Sequence, residues 1–126
     1  MAEVSPRLLV TVIDDDESVR ESLPDLLREF GYVVETFASS EEFLASGDLG
    51  GTRCLILDVA MPGMSGPELH QELRRRGGAI PVVFITAHND ATVRPRLLAL
   101  GAVDCLFKPF SEGALLAAIH AAVPAA

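Results

Sequence analysis

Four acids stand in a row at Asp14, Asp15, Asp16 and Glu17, and a further acid, Asp58, sits inside the otherwise apolar stretch CLILDV. Thr86 closes the run PVVFIT, and Lys108 follows the run AVDCLF. An unpaired charge in apolar surroundings is costly, so Asp58 needs a partner or a polar opening. Three carboxylates brought together repel one another and raise one another's pKa unless a cation neutralises them. A hard divalent ion with oxygen ligands resolves that conflict, Mg2+ foremost and Mn2+ as a substitute. A hydroxyl from Thr86 and a fixed ammonium from Lys108 then add what a transferred phosphoryl group requires, namely charge neutralisation of its equatorial oxygens and in-line positioning. Aspartate is ionised at neutral pH, so Asp58 needs no general base to act as a nucleophile, and its product is an acyl phosphate. Taken singly, each residue has a plainer reading: a strand-end Asp in a turn, acids favoured at a helix start, a Thr in a strand, a solvated lysine. Their convergence is what argues for chemistry.

Convergence requires elements that bring these positions to one place. Five short apolar runs rich in β-branched residues, at 8–13, 32–37, 54–59, 81–86 and 102–107, predict strands. Between them lie helical segments with start signals: Ser39 with Glu42, Ser65 with Glu68, and Ser111 ahead of EGALLAAI. The alternation predicts an α/β fold in which a strand–helix unit occurs five times. The first, third and fourth runs are apolar almost throughout, the pattern of parallel strands covered on both faces. In such a sheet ligands sit outside the carboxyl ends of the strands, which is where Asp14, Asp15, Asp58, Thr86 and Lys108 fall. The last helix is expected to bury Leu115, Leu116 and Ile119. Two prolines disturb the pattern. Pro24 predicts a kink near residues 20–24, because it removes a backbone donor inside the first helix. Pro95 predicts a short or distorted fourth helix, with Asp90 as the N-cap and the proline past the first turn.

Composition narrows the classes. The chain has 126 residues, with 10 Lys+Arg against 18 Asp+Glu and a net charge of −8. That length suits one domain over residues 1–126 with a core from about 8 to about 123 and no output domain. With hydrophobic residues at 49%, the chain can bury a core of its own. The acidic balance disfavours direct nucleic-acid binding, Arg74, Arg75 and Arg76 being one local basic spot. Cys54 and Cys105 each lie in apolar segments and read as small hydrophobes, not as a disulfide. The start has no basic region followed by a long apolar stretch. The uncharged run at 113–126, which contains His120 and Pro124, is shorter than the roughly 20 residues a membrane span needs. These features predict a soluble, cytoplasmic protein without membrane contact.

The motifs VIDDDESVR, LILDVAMPGMSG, VFITAH and GAVDCLFKPF stand in this order along the chain. In them the sequence resembles the receiver domain of two-component response regulators, closest to the FixJ-type branch, over nearly its whole length. The resemblance implies a flavodoxin-like, doubly wound (βα)5 parallel sheet of strand order 2-1-3-4-5, which separates Cys54 from Cys105. It implies that Asp14 and Asp15 are the metal-binding acid pair and that Asp58 is the phosphoacceptor and a further metal ligand. The Ala60 backbone carbonyl would complete the metal site, with Thr86 as the switch hydroxyl and Lys108 as the phosphate contact. The Lys108–Pro109 peptide is expected to be cis. Ala60 and His88 occupy positions that tune phosphoryl lifetime. Cys105 departs from the pattern, standing where the family usually carries a Tyr or Phe that moves with the threonine. The implied partners are a sensor histidine kinase or phosphotransfer protein, a downstream protein or covalently linked output domain, and a second copy in a phosphorylation-dependent homodimer. The implied enzymology is limited to self-catalysed phosphoryl transfer and autodephosphorylation. Two other readings compete: a haloacid-dehalogenase-like phosphatase using Asp14, since Asp14-x-Asp16-x-Ser18 loosely matches that motif, and a pseudo-receiver that is not phosphorylated.

Overall fold

The computed structural model describes residues 8–88 and 90–123. Strands and helices alternate as β1 (Leu9–Ile13), α1 (Glu17–Glu29), β2 (Val33–Phe37), α2 (Ser40–Ser46), β3 (Thr52–Asp58), α3 (Gly66–Arg75), β4 (Val82–Thr86), α4 (Val93–Ala99), β5 (Asp104–Phe107) and α5 (Glu112–Ala122). All pairings are parallel, in the order β2-β1-β3-β4-β5. This is the parallel sheet that the strand pattern predicts, in the flavodoxin-like doubly wound order that the receiver resemblance implies. Ile13 lies opposite Leu57, Asp58 opposite Ile85, and Thr86 opposite Phe107, so the carboxyl ends of β1, β3, β4 and β5 finish level with one another.

Alternation along the strands sends side chains into two cores. Val10, Val12, Cys54, Ile56, Val83 and Ile85 pack with Leu23 and Leu27 of α1 and Leu115 and Ile119 of α5. Ile13, Leu55, Leu57, Phe84 and Cys105 pack on the other face with Phe43, Leu69 and Leu97 of α2, α3 and α4. The two cysteines are therefore free, buried and on opposite faces of the sheet. Burial pushes the Cys54 thiol up to about 12, as befits an unreactive core residue.

The serine start signals act as predicted. Ser39, Ser65 and Ser111 accept from the backbone N–H groups of Glu42, Glu68 and Ala114, and Glu68 returns the bond to Ser65 N in a complete capping box. Helix α1 runs as one element through Pro24, which is buried beside Leu23 and Leu27. The fourth helix corrects the expectation. Asp90 is not its N-cap: its carboxylate accepts from both N and Oγ1 of Thr92 at 2.9 Å, closing a turn before the helix begins. Thr92 is the N-cap and makes no side-chain capping bond. Pro95 accordingly falls in the first turn, where a missing N–H has no helical partner to lose. In α5 the buried residues are Leu115, Ala118, Ile119 and Ala122. Leu116 is only partly buried, one position off that stripe. None of the described helices is long and apolar enough to cross a membrane, and Pro124 lies outside the described residues.

Candidate functional site

Asp14 follows directly on β1, and its backbone N–H donates to the Phe37 carbonyl at 3.2 Å, one step past the strand ladder. The side chain is fully buried, and every oxygen is engaged. Oδ1 accepts from Asp16 N at 2.9 Å, Oδ2 accepts from Lys108 Nζ at 2.9 Å, and the backbone carbonyl accepts from Arg20 Nη1 at 2.9 Å. Asp16 is the N-cap of α1, accepting from Ser18 N and Oγ, bonds that hold its carboxyl below the ordinary range. Asp15 is exposed.

Asp58 is the last residue of β3 and is 6% exposed. Lys108 Nζ stands 4.0 Å from its Oδ1, so one ammonium lies between two buried carboxylates. Lys108 reaches this place because its N–H donates to the Thr86 carbonyl at 2.8 Å, extending the β4–β5 ladder beyond Phe107. The following Lys108–Pro109 peptide is cis. Burial works against the lysine's charge, but the bond to Asp14 and the charges of Asp58, Asp14 and Asp16 outweigh it, so its pKa lies above the usual value. At Asp58 the balance goes the other way. Burial first, and the Asp14 charge second, push its carboxyl up to about 7 against the opposing pull of Lys108. One oxygen each of Asp14, Asp15 and Asp58 lies within 4.8 Å of the others. Two of these acids are buried, and one ammonium leaves the three carboxylates under-neutralised. This is a donor set that fits a hard divalent cation.

Thr86 ends β4, almost fully buried, and its Oγ1 accepts from His88 N at 3.0 Å. The His88 side chain and Ala60, two residues beyond Asp58, are both exposed at the rim. Cys105 does not reach the edge: it is 2% exposed and packed in the core beneath α4, where burial and then Asp104 raise its thiol pKa. The structure thus brings Asp14, Asp15, Asp58 and Lys108 together, places Thr86, Ala60 and His88 around them, and leaves Cys105 apart.

Two supporting residues escaped the sequence reading. Arg20 holds the Asp14 carbonyl; its place on α1 six residues on is the only trace, and many surface arginines share it. Gly66, the first residue of α3, lets that helix start against the site strand. A Cβ there would overlap the Asp58 carbonyl, and its N–H donates to the Val59 carbonyl at 3.0 Å. A glycine directly after a helix-capping serine, where a better helix former is expected, is the sign that was available.

Residues 10–120 match the family described as response regulator receiver domain. The response regulator protein TodT of Pseudomonas putida is 42% identical over 115 residues, covering 91% of this chain and 51% of that protein. The transcriptional regulatory protein FixJ of Azorhizobium caulinodans is 43% identical over 116 residues, covering 92% of this chain and 55% of its own. The structure of response regulator StyR superposes with a TM-score of 0.86 at 47% identity, over 94% of this chain and 60% of that one. The chain spans about half the length of the curated relatives it matches. These relatives lend no support to a phosphatase built on Asp14, both of whose carboxylate oxygens are already bonded, nor to an unphosphorylated pseudo-receiver. A match over most of the sequence, carried by the sheet order and repeated among solved structures, means that the chain belongs to the response regulator receiver domains of two-component systems.

Proposed function

We propose that this chain takes a phosphoryl group onto Asp58 from the phosphohistidine of a sensor histidine kinase or phosphotransfer protein. The observation that carries the reading is the Lys108 ammonium set between buried Asp14 and Asp58, beside a third carboxylate at the open edge of the sheet. A carboxylate oxygen of Asp58 forms the new P–O bond as the P–N bond to imidazole breaks, and that electron pair leaves with the imidazole nitrogen. The product is an acyl phosphate. Asp14, Asp15, Asp58 and the Ala60 backbone carbonyl would hold Mg2+, or Mn2+ in its place. Receiver domains generally bind Mg2+ at such an acidic cluster, and the ion supplies charge neutralisation for the phosphoryl oxygens.

Lys108 pulls Asp58 towards the carboxylate, against burial and the Asp14 charge, and pairs with the incoming phosphoryl oxygens. Thr86 donates its hydroxyl to the phosphoryl group and serves as the switch. The small, exposed Ala60 and the exposed His88 set how readily water reaches the acyl phosphate, which the chain itself hydrolyses. The receiver family implies a histidine kinase partner. Relatives about twice as long support an output domain linked to this one. The reading also allows a separate downstream protein, a cytoplasmic setting and a phosphorylation-dependent homodimer.

Intact mass after incubation with Mg2+ and acetyl phosphate tests this. Wild type is expected to gain one phosphoryl group only when the metal is present, and Asp58→Asn to gain none. A gain that survives Asp58→Asn would overturn the assignment.

A further inference from the structure

The loop from β3 to α3 is gripped from outside the sheet by α2. Ser40 and Glu41, consecutive residues in the first turn of that helix, both reach Met64. Ser40 Oγ donates to the Met64 carbonyl at 3.1 Å, and Glu41 Oε2 accepts from the Met64 N–H at 2.8 Å. Both backbone polar groups of one loop residue are thus held by a neighbouring element. Ser40 is fully buried, and its neighbour Phe43 packs in the core with Leu57 and Met61, so the helix is a fixed support. Gly63, with φ +74, makes room for the grip, since a Cβ there would stand 2.6 Å from Glu41 Oε2.

The gripped loop carries Ala60. Its ends are anchored, by Asp58 in the sheet and by the Gly66 N–H on the Val59 carbonyl, but Ala60, Pro62 and Gly63 between them are exposed. Buried Met61 and the two bonds at Met64 are what hold that stretch. Magnesium demands near-octahedral oxygens at about 2.0–2.1 Å, so a carbonyl ligand on a loop is only as good as the loop's placement.

We propose that Ser40 and Glu41 are positioning residues for the phosphorylation site: by holding the N–H and carbonyl of Met64, they set the loop that offers the Ala60 carbonyl to the divalent cation. This rests on the Asp58 reading above. It assigns α2, which contributes no group to the chemistry, a role in cation affinity. The bond, more than the charge, carries the effect, because an amide oxygen at the same place also accepts from Met64 N, although more weakly than a carboxylate.

The test compares wild type, Glu41→Gln, Glu41→Ala and Ser40→Ala in the full chain. Hydrogen exchange at the Met64 amide is read without metal, and Asp58 labelling by acetyl phosphate is read against Mg2+ concentration. Glu41→Ala is expected to speed Met64 exchange and to raise the half-saturating Mg2+ concentration about tenfold, the lower end of what removing a supporting group beside a metal ligand causes. Its rate at saturating Mg2+ stays close to that of wild type, and Glu41→Gln stays close to wild type in both readouts. Ser40→Ala shifts the Mg2+ midpoint in the same direction; if it fails to fold, the two Glu41 variants decide. Labelling of Glu41→Ala at the wild-type Mg2+ midpoint would overturn the positioning role alone. Labelling of no protein, wild type included, would instead overturn the Asp58 reading.

Discussion

In its proposed role Asp58 is under two demands that oppose each other: burial favours the neutral acid, whereas attack on phosphorus would need the carboxylate. Its pKa of about 7, set by burial and then by Asp14, shows that Lys108 alone does not satisfy the second demand. The consequence for stability has a definite sign. A carboxyl whose folded pKa lies above its unfolded value stabilises the fold below the unfolded pKa, and that contribution is lost as pH rises through the folded one. In the absence of divalent cations, wild type should therefore lose stability between about pH 4 and about pH 7, by on the order of 4 kcal/mol. Asp58→Asn, which cannot ionise, should flatten that fall and melt above wild type at about pH 8. Thermal unfolding followed by circular dichroism across the range checks it; parallel pH profiles for the two proteins would refute it. Magnesium should correspondingly raise the wild-type melting temperature more at about pH 8 than at about pH 5, where binding must first displace the proton on Asp58.

Among the elements, α3 meets the site most closely, because its first residue lies against the Asp58 carbonyl. Gly66→Ala adds a Cβ that overlaps that carbonyl, so either the helix start or the end of β3 must shift. An unfolding free energy lower by about 1–3 kcal/mol is expected, read as a lower urea midpoint at unchanged slope. Pro24 poses the opposite case. Its ring is buried beside Leu23 and Leu27, yet it deprives Arg20 of a helical hydrogen bond. Pro24→Ala should stabilise by about 1 kcal/mol net, because the backbone gain of about 3 kcal/mol is offset by the apolar burial that the ring supplies and alanine does not. The same contrast explains what was legible in the sequence. Ser39, Ser65 and Ser111 were readable as helix starts because a cap bonds only two or three residues ahead. Asp90 looked identical, but its carboxylate serves a turn through Thr92, and only tertiary packing fixes where α4 begins. The site was readable to the extent that it consists of strand ends, as Asp14, Asp58, Thr86 and Lys108 do. Arg20, Ser40 and Glu41 were not, because each acts on a backbone group of another element and leaves no period or spacing in its own, and Gly66 showed only as a poor helix former directly after a capping serine.

Across the whole molecule, the question is how a phosphoryl group placed on Asp58, as proposed, would be felt at the far side of α4. The route through a swinging aromatic is closed, since Cys105 is a small side chain packed in the core with Phe84 and Leu97. What remains is the Thr86 hydroxyl, which in this structure is bonded to His88 N and so braces the loop leading to α4. On the proposed reading, a phosphoryl oxygen competing for Thr86 would reorient that hydroxyl and remove the brace. The helix beyond it is weakly anchored: it has seven residues and no side-chain cap, and Leu97 is its one fully buried residue. Its outer tie is Arg94, which donates from Nη2 to Asp104 Oδ1 at 2.8 Å, and the same oxygen accepts from Cys105 N at 2.8 Å. A shift of α4 would therefore pull on the start of β5 through Asp104 and carry Leu97 with it in the core. Acetyl phosphate with Mg2+ should then move the backbone NMR signals of His88, residues 90–99, Asp104 and Cys105, while those of the β2 edge stay still. Thr86→Ala should still accept phosphoryl at Asp58, because the nucleophile and Lys108 are untouched, but the α4 and β5 shifts should shrink towards zero. If the variant showed the full set of shifts, the signal would have to leave the site by another path, and the bond between Thr86 and His88 would be a feature of the resting fold alone.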